Sequence, residues 1–200
     1  MVRWEPGGTE RLRMAALDLY VRQGFEQTTV AEIAAAAGLT ERTFFRHFAD
    51  KREVLFNGQE VLEAQFLAGV AEAPDGSSPL DLAAAALAGS AGFFSEDRRA
   101  WSRRRQTVIG ANASLQERES LKMATLAGSL AAALRDRGIA EPAATLAGQT
   151  AVTVFSVSFA TWVEDDETRT FPAIEHDVLA ELTALTAATV QAPAAERPTV

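Results

Sequence analysis

Residues 28–56, TTVAEIAAAAGLTERTFFRHFADKREVLF, hold two short apolar-periodic segments around a single glycine, Gly38. Val30, Ile33, Ala34 and Ala37 make one helical stripe. Thr29 and Glu32 have the spacing of a capping box at its start. Gly38 supplies the left-handed backbone a sharp turn needs. Leu39 is the buried residue of that turn, and Thr40 caps the next helix. There, Phe44 and Phe48 stand at i, i+4 and face the first stripe. The pattern is a helix-turn-helix; the plainer alternative is a helical hairpin inside a larger bundle.

With Phe44 and Phe48 inside, Glu41, Arg42, Thr43, Phe45, Arg46 and His47 occupy the flanks and the outer face. These types suit duplex DNA. Arg forks onto guanine, and Thr or an aromatic ring meets a thymine methyl. Glu41 either accepts from cytosine or excludes wrong bases. His47, Lys51 and the helix start at Lys51 are placed for phosphates. Thr29 and Thr40, at the two helix starts, complete the candidate set. Arg11 and Arg13 on the preceding helix either touch phosphates or are solvated, and Tyr20 and Phe25 read as core.

Outward from this stretch nearly everything reads as helix. The fold class is all-α, with about nine helices near 10–23, 30–37, 41–48, 51–72, 79–94, 97–110, 115–137, 142–164 and 172–191. Asp50 with Glu53, Ser78-Pro79 with Asp81, and Ser114 with Glu117 mark starts; Pro142 and Pro172 do the same. Gly24, Gly38 and Gly138 mark stops. The expected division is a helix-turn-helix DNA-binding domain over 1–50, a ligand-binding and dimerisation domain over 51–191, and a disordered tail over 192–200.

The chain has 200 residues, a net charge of -8 and no Cys. Disulfides, thiolate metal sites and cysteine nucleophiles are therefore excluded. The excess acid lies beyond residue 55: residues 1–55 carry eight Lys/Arg and eight Asp/Glu, residues 56–200 eleven and nineteen. A neutral N-terminal module still holds a local basic face. The N-terminus shows no apolar leader segment. Residues 143–163 carry no charge over a membrane-spanning length, yet they hold Gln149 and six Ser/Thr, so a buried helix is expected and no membrane. The expected location is the cytoplasm.

The stretch resembles the DNA-binding domain of the tetracycline-repressor (TetR) family. The likeness rests on Gly24-Phe25, Thr29-Val30, Ile33-Ala34, Ala37-Gly38-Leu39, Thr43-Phe44-Phe45, His47-Phe48, Lys51 and Leu55. It covers residues 10–56 closely and the remainder in helix count and length. One departure is Phe45, where the family usually has Tyr; a hydroxyl that reaches phosphate is lost. The resemblance implies an all-α homodimer on a palindromic operator, a larger domain that binds a small hydrophobic or amphipathic ligand, and dimerisation through the last two helices. It implies no cofactor.

In the C-terminal part, Phe66, Phe93, Phe94, Trp101, Phe155 and Phe159 either line a ligand cavity or simply pack. Arg104 and Arg105, with Asn112 or Gln106 as a polar handle, join them as candidate ligand residues. The run Arg98–Arg105 is either a salt-bridged, solvated face or an anion site. The layout of Arg104, Arg105, Ile109, Leu115 and Arg118, with Trp162, is similar to TetR-type regulators of the mycofactocin-regulator kind, which implies acyl-CoA as a candidate ligand. Leu146, Gln149, Thr153, Trp162, Val178, Leu182 and Leu185 are the candidate dimer interface, with Gly148 among the small residues that permit close approach; plain core is the alternative. An enzyme has little to stand on. There are two His, His47 and His176, and no nucleophile set, phosphate loop or metal spacing. The other alternative is a helical interaction protein that has lost specific DNA binding.

Overall fold

The computed structural model describes residues 7–190, with side chains to 187. Among the described residues it is all-helical. The helices are α1 (Gly8–Gln23), α2 (Val30–Ala36), α3 (Glu41–His47), α4 (Glu53–Phe56), α5 (Gln59–Glu72), α6 (Pro79–Ser90), α7 (Glu96–Gly110), α8 (Ala113–Asp136), α9 (Ala143–Trp162) and α10 (Phe171–Val190). The expected 192–200 tail lies outside the described residues.

Two expectations are corrected. The helix expected over 51–72 is broken at Asn57-Gly58, where Gly58 takes φ 92, and the first piece is only the four residues of α4. Ser114 does not cap α8. The helix has already begun at Ala113, and the Asn112 carbonyl accepts its first bonds from Leu115 and Gln116.

The chain forms two compact units, 1–65 with 96–126, and 66–95 with 127–200. The first extends beyond residue 50 for a visible reason. Leu12, Leu17 and Tyr20 of α1, Ile33 and Ala34 of α2 and Phe44 of α3 share one buried cluster with Val54, Leu55 and Phe56 of α4, Val108 and Ile109 of α7, and Leu115 of α8. The hairpin therefore borrows part of its core from α7 and α8.

In the second unit α9 packs on α6 and α10. Glycine permits two close helix approaches: a Cβ on Gly69 would lie 2.1 Å from the Ala85 carbonyl oxygen, and one on Gly148 would lie 2.8 Å from that of Ala127. Gly148 thus serves contact with α8 of its own chain, and not the dimer contact expected for it. One described helix, α9, is long and apolar enough to cross a membrane by length and composition. Ala144, Ala147, Ala151, Val154, Phe155 and Trp162 are buried inside the unit, which accounts for its apolar character.

Candidate functional site

The second helix of the hairpin is fixed from below and at both ends. Phe44 is fully buried, 0% exposed, and Phe48 nearly so, with their rings 5.5 Å apart. The Thr29 hydroxyl accepts from the Glu32 amide while the Glu32 carboxylate accepts from the Thr29 amide at 2.8 Å, closing the start of α2. Those bonds also hold the Glu32 carboxyl below its usual pKa. The Thr40 hydroxyl accepts from the Thr43 amide at the start of α3. Gly38, at φ 65, turns the chain between them. An added Cβ there would stand 2.8 Å from the Arg11 guanidinium, the movable end of a long side chain, so the positive φ is what calls for glycine.

That guanidinium corrects the expectation for Arg11. It donates to the carbonyls of Ala37 and Gly38 and so caps the end of α2, neither free in solvent nor aimed at a phosphate. Arg13 pairs with Glu10 and lies 4.5 Å over the Trp101 ring. Lys51 is corrected likewise. Its Nζ donates to the carbonyls of Phe25, Glu26 and Thr28 and sits 4.5 Å over the Phe25 ring. Three carbonyls occupy the three ammonium hydrogens, so Lys51 clamps the α1–α2 loop and has no donor left for phosphate. Tyr20 adds to this lock by donating to the Lys51 carbonyl at 2.6 Å.

Glu41, Arg42, Phe45 and Arg46 are exposed, and Thr43 and His47 are half-buried. Arg42, Thr43, Phe45 and Arg46 line one open concavity. Phe45 is 55% exposed although its edge meets the Phe44 ring, so a large apolar ring is held in water by α3 itself. His47 Nδ1 is 3.0 Å from the Thr9 hydroxyl, which ties the end of α3 to the first turn of α1. Two guanidiniums, a hydroxyl-bearing threonine and an exposed aromatic ring thus share one accessible helix face. Such a face fits a major groove in width and in donor chemistry.

The residues expected to bind ligand fall into both units. Phe66, Phe94, Phe155 and Phe159 come together in the second, with Trp162 and Phe171. Phe94 lies 5.5 Å from Phe155, 5.6 Å from Phe159 and 4.5 Å from Phe171; Phe66 lies 5.4 Å from Phe155. Phe93 stands beside Phe94.

Trp101, Arg104, Arg105 and Asn112 belong to the first unit. Arg104 pairs with Asp18. Arg105 donates to the Leu55 carbonyl at 2.7 Å, pairs with Glu119 at 3.0 Å and covers the Phe56 ring. Asn112 donates to the Val108 carbonyl at the end of α7. Arg99, 8% exposed, pairs with Glu96. Arg99, Arg104 and Arg105 of the Arg98–Arg105 run are therefore built into ion pairs and a carbonyl bond, nearer the salt-bridged face than the anion site. Spacing could reveal the Arg99–Glu96 pair, but not those of Arg104 and Arg105, whose acceptors Asp18 and the Leu55 carbonyl lie 86 and 50 residues away.

Trp162 is also corrected. It is fully buried, 0% exposed, against Phe94 and Phe171, and cannot lie at a surface interface. The other candidates for that interface are accessible. Leu146 and Leu185 are each 63% exposed, Gln149 and Thr153 are exposed, and Val178 and Leu182 are half-buried. Sequence reasoning missed Ser158 and Glu175, two buried polar residues. The signal was there in part: Glu175 sits in the same stripe as Phe171, Ile174 and Val178.

A short N-capped helix with a polar and aromatic outer face, seated on a buried hairpin core, defines a helix-turn-helix. Residues 12–57 match the model of the bacterial regulatory proteins of the tetR family. The chain is 44% identical over 71 residues to the HTH-type transcriptional regulator TcmR of Streptomyces glaucescens. That match covers 36% of this chain and 31% of TcmR, so the chain matches less than a third of the relative's length. Its fold is that of a putative TetR-family regulator from Syntrophomonas wolfei, with TM-score 0.60, 18% identity, and 90% and 95% of the two chains covered. It is also that of FadR from Bacillus subtilis in complex with stearoyl-CoA, with TM-score 0.57, 18% identity, and 86% and 96% covered.

Proposed function

We propose that the protein is a homodimeric repressor that holds a palindromic operator through α3 and leaves it when its second unit takes up a small apolar or amphipathic ligand. The observation that carries this is the outer face of α3. Arg42, Thr43, Phe45 and Arg46 are presented by a helix whose cap, underside and flanking loops are all tied down. Glu41 and His47 flank that face, and Thr29 and Thr40 stand at the two helix starts. Acting on DNA places the protein in the cytoplasm.

The apolar side chains that α9 and α10 leave in water, Leu146, Val157 and Leu185, support pairing of two copies through these helices. A two-fold pair reads half-sites about 34–36 Å apart, so a few ångströms of change in spacing prevents both α3 helices from docking. Full switching needs a ligand that distinguishes the two states by about 5.5 kcal/mol. The aromatic cluster around Phe94 supports an apolar ligand, and the solved likeness to a regulator holding stearoyl-CoA makes an acyl-CoA the first to try.

The test is selection of bound duplexes from a random library with the full chain, followed by the mass of the complex and titration with lauroyl-CoA. A palindrome bound by two copies and released by lauroyl-CoA is the expected result. Enrichment of no sequence would instead support a helical interaction protein without specific DNA binding.

A further inference from the structure

Among the described residues of the second unit, Glu175 and Ser158 are buried polar side chains with an oxygen left without a hydrogen-bond partner. Glu175 is 5% exposed and Ser158 0% exposed. Neither Glu175 Oε1 nor Ser158 Oγ has a hydrogen-bond partner among the described residues. A buried polar group left in that state forfeits its solvation without a hydrogen bond in return.

Helix register places the two at matching positions on α9 and α10. α9 and α10 pack along each other and are joined by the short segment 163–170, so they run antiparallel. The Trp162 and Phe171 rings meet at 5.7 Å near the joint. Ser158 lies one turn before Trp162, and Glu175 one turn after Phe171. By this register Ser158 and Glu175 lie on the contacting stripes of the two helices, at the same depth from the joint. The rings of Phe94, Phe155, Phe159 and Phe171 surround this part of the unit.

Among the described residues no cation is paired with Glu175. α9 has no charged residue, and α6 has only Asp81, which closes its own helix start with Ser78. α10 adds His176, Asp177 and Glu181 on its exposed side. Arg135 is paired with Glu141, and Arg137 with the carbonyls of Val70, Ala71, Ala73 and Pro74. Arg169 is engaged with Glu167 and Asp177. Burial therefore acts alone on Glu175 and lifts its pKa from 4.5 to about 8. At neutral pH it is a carboxylic acid, and a donor.

We infer that Glu175 and Ser158 are the polar recognition element of a ligand site in the second unit, and that this site takes the uncharged, carbonyl-bearing part of an apolar or amphipathic ligand: a ketone, ester or thioester. This rests on the reading of that unit as ligand-binding. One carbonyl oxygen has two lone pairs and here meets two donors, the Glu175 acid and the Ser158 hydroxyl. Both unsatisfied groups are then satisfied without burying a charge. An anionic head would find no cation, and a cationic head would have to ionise Glu175 first.

The test uses calorimetric titration of the full chain, without DNA, with three ten-carbon probes: 2-decanone, decylamine and decanoate. 2-Decanone should bind best at about pH 6.5 and lose about tenfold or more in affinity at about pH 9.5, where Glu175 is ionised. E175L and S158A should each weaken it about tenfold, one hydrogen bond's worth. E175Q should bind nearly as wild type, since an amide still donates, and should lose the pH dependence.

E175L is safe as a folding control, because it removes an unpaired buried acid. The acid's folded pKa lies above its unfolded one, so its stabilising contribution is complete below about pH 4.5 and is lost as pH rises to about 8. The wild-type Tm should fall across that window and E175L should flatten the fall. Tighter binding of decylamine than of 2-decanone, 2-decanone affinity indifferent to pH and to E175L, or no binding of 2-decanone at about pH 6.5 would each overturn the proposal. A repressor reading that fails shows itself in the DNA measurements and leaves these titrations unchanged.

Discussion

The hairpin and the α9–α10 pair are built from opposite materials. In the hairpin, polar side chains fix the backbone: Thr29 and Thr40 close helix starts, and Arg11 closes a helix end. Lys51 and Tyr20 lock the loops. In the α9–α10 pair, rings and small apolar residues do the fixing, and the polar groups Ser158 and Glu175 are left over. Hydrogen bonds are directional and hold one geometry, whereas apolar contact is non-directional. The half that presents a face is thus held in place, and the half proposed to admit a ligand is free to repack around one.

Three substitutions break or sharpen that contrast. Phe44→Ala removes the ring beneath α3 and should cost about 3–5 kcal/mol, enough to unfold much of the first unit; urea unfolding followed by circular dichroism reads it. Gly148→Ala places a Cβ 2.8 Å from the Ala127 oxygen and 2.9 Å from the Ala131 nitrogen. It should cost about 1–3 kcal/mol because backbone, and not a flexible side chain, must yield. Thr29→Ala removes one cap and should cost about 1 kcal/mol by the same unfolding measurement. A negligible loss in T29A would mean that caps do not fix the hairpin.

The same contrast explains what could be read in advance. Caps, turns and the Phe44/Phe48 stripe are local patterns, and Thr29 with Glu32, Gly38 and Thr40 occupy the places their spacing assigns. Arg11, Lys51 and Arg105 were misjudged because their partners are backbone carbonyls 26, 26 and 50 residues away, which spacing does not encode. Trp162 looked like an interface residue because an apolar helix face reads alike whether a second copy or the chain's own α10 covers it. The break at Asn57-Gly58 was missed because a continuous apolar period on both sides masked one glycine at positive φ.

The central claim is that the outer face of α3 reads DNA sequence. The direct measurement is fluorescence anisotropy of wild type and Arg46→Ala on the selected duplex and on a scrambled duplex of equal length, at several salt concentrations. Wild type should prefer the selected duplex, with affinity falling steeply as salt rises. R46A should lose about 1–3 kcal/mol on that duplex and little on the scrambled one, so that the two converge. Equal binding of R46A and wild type to the selected duplex would contradict the account.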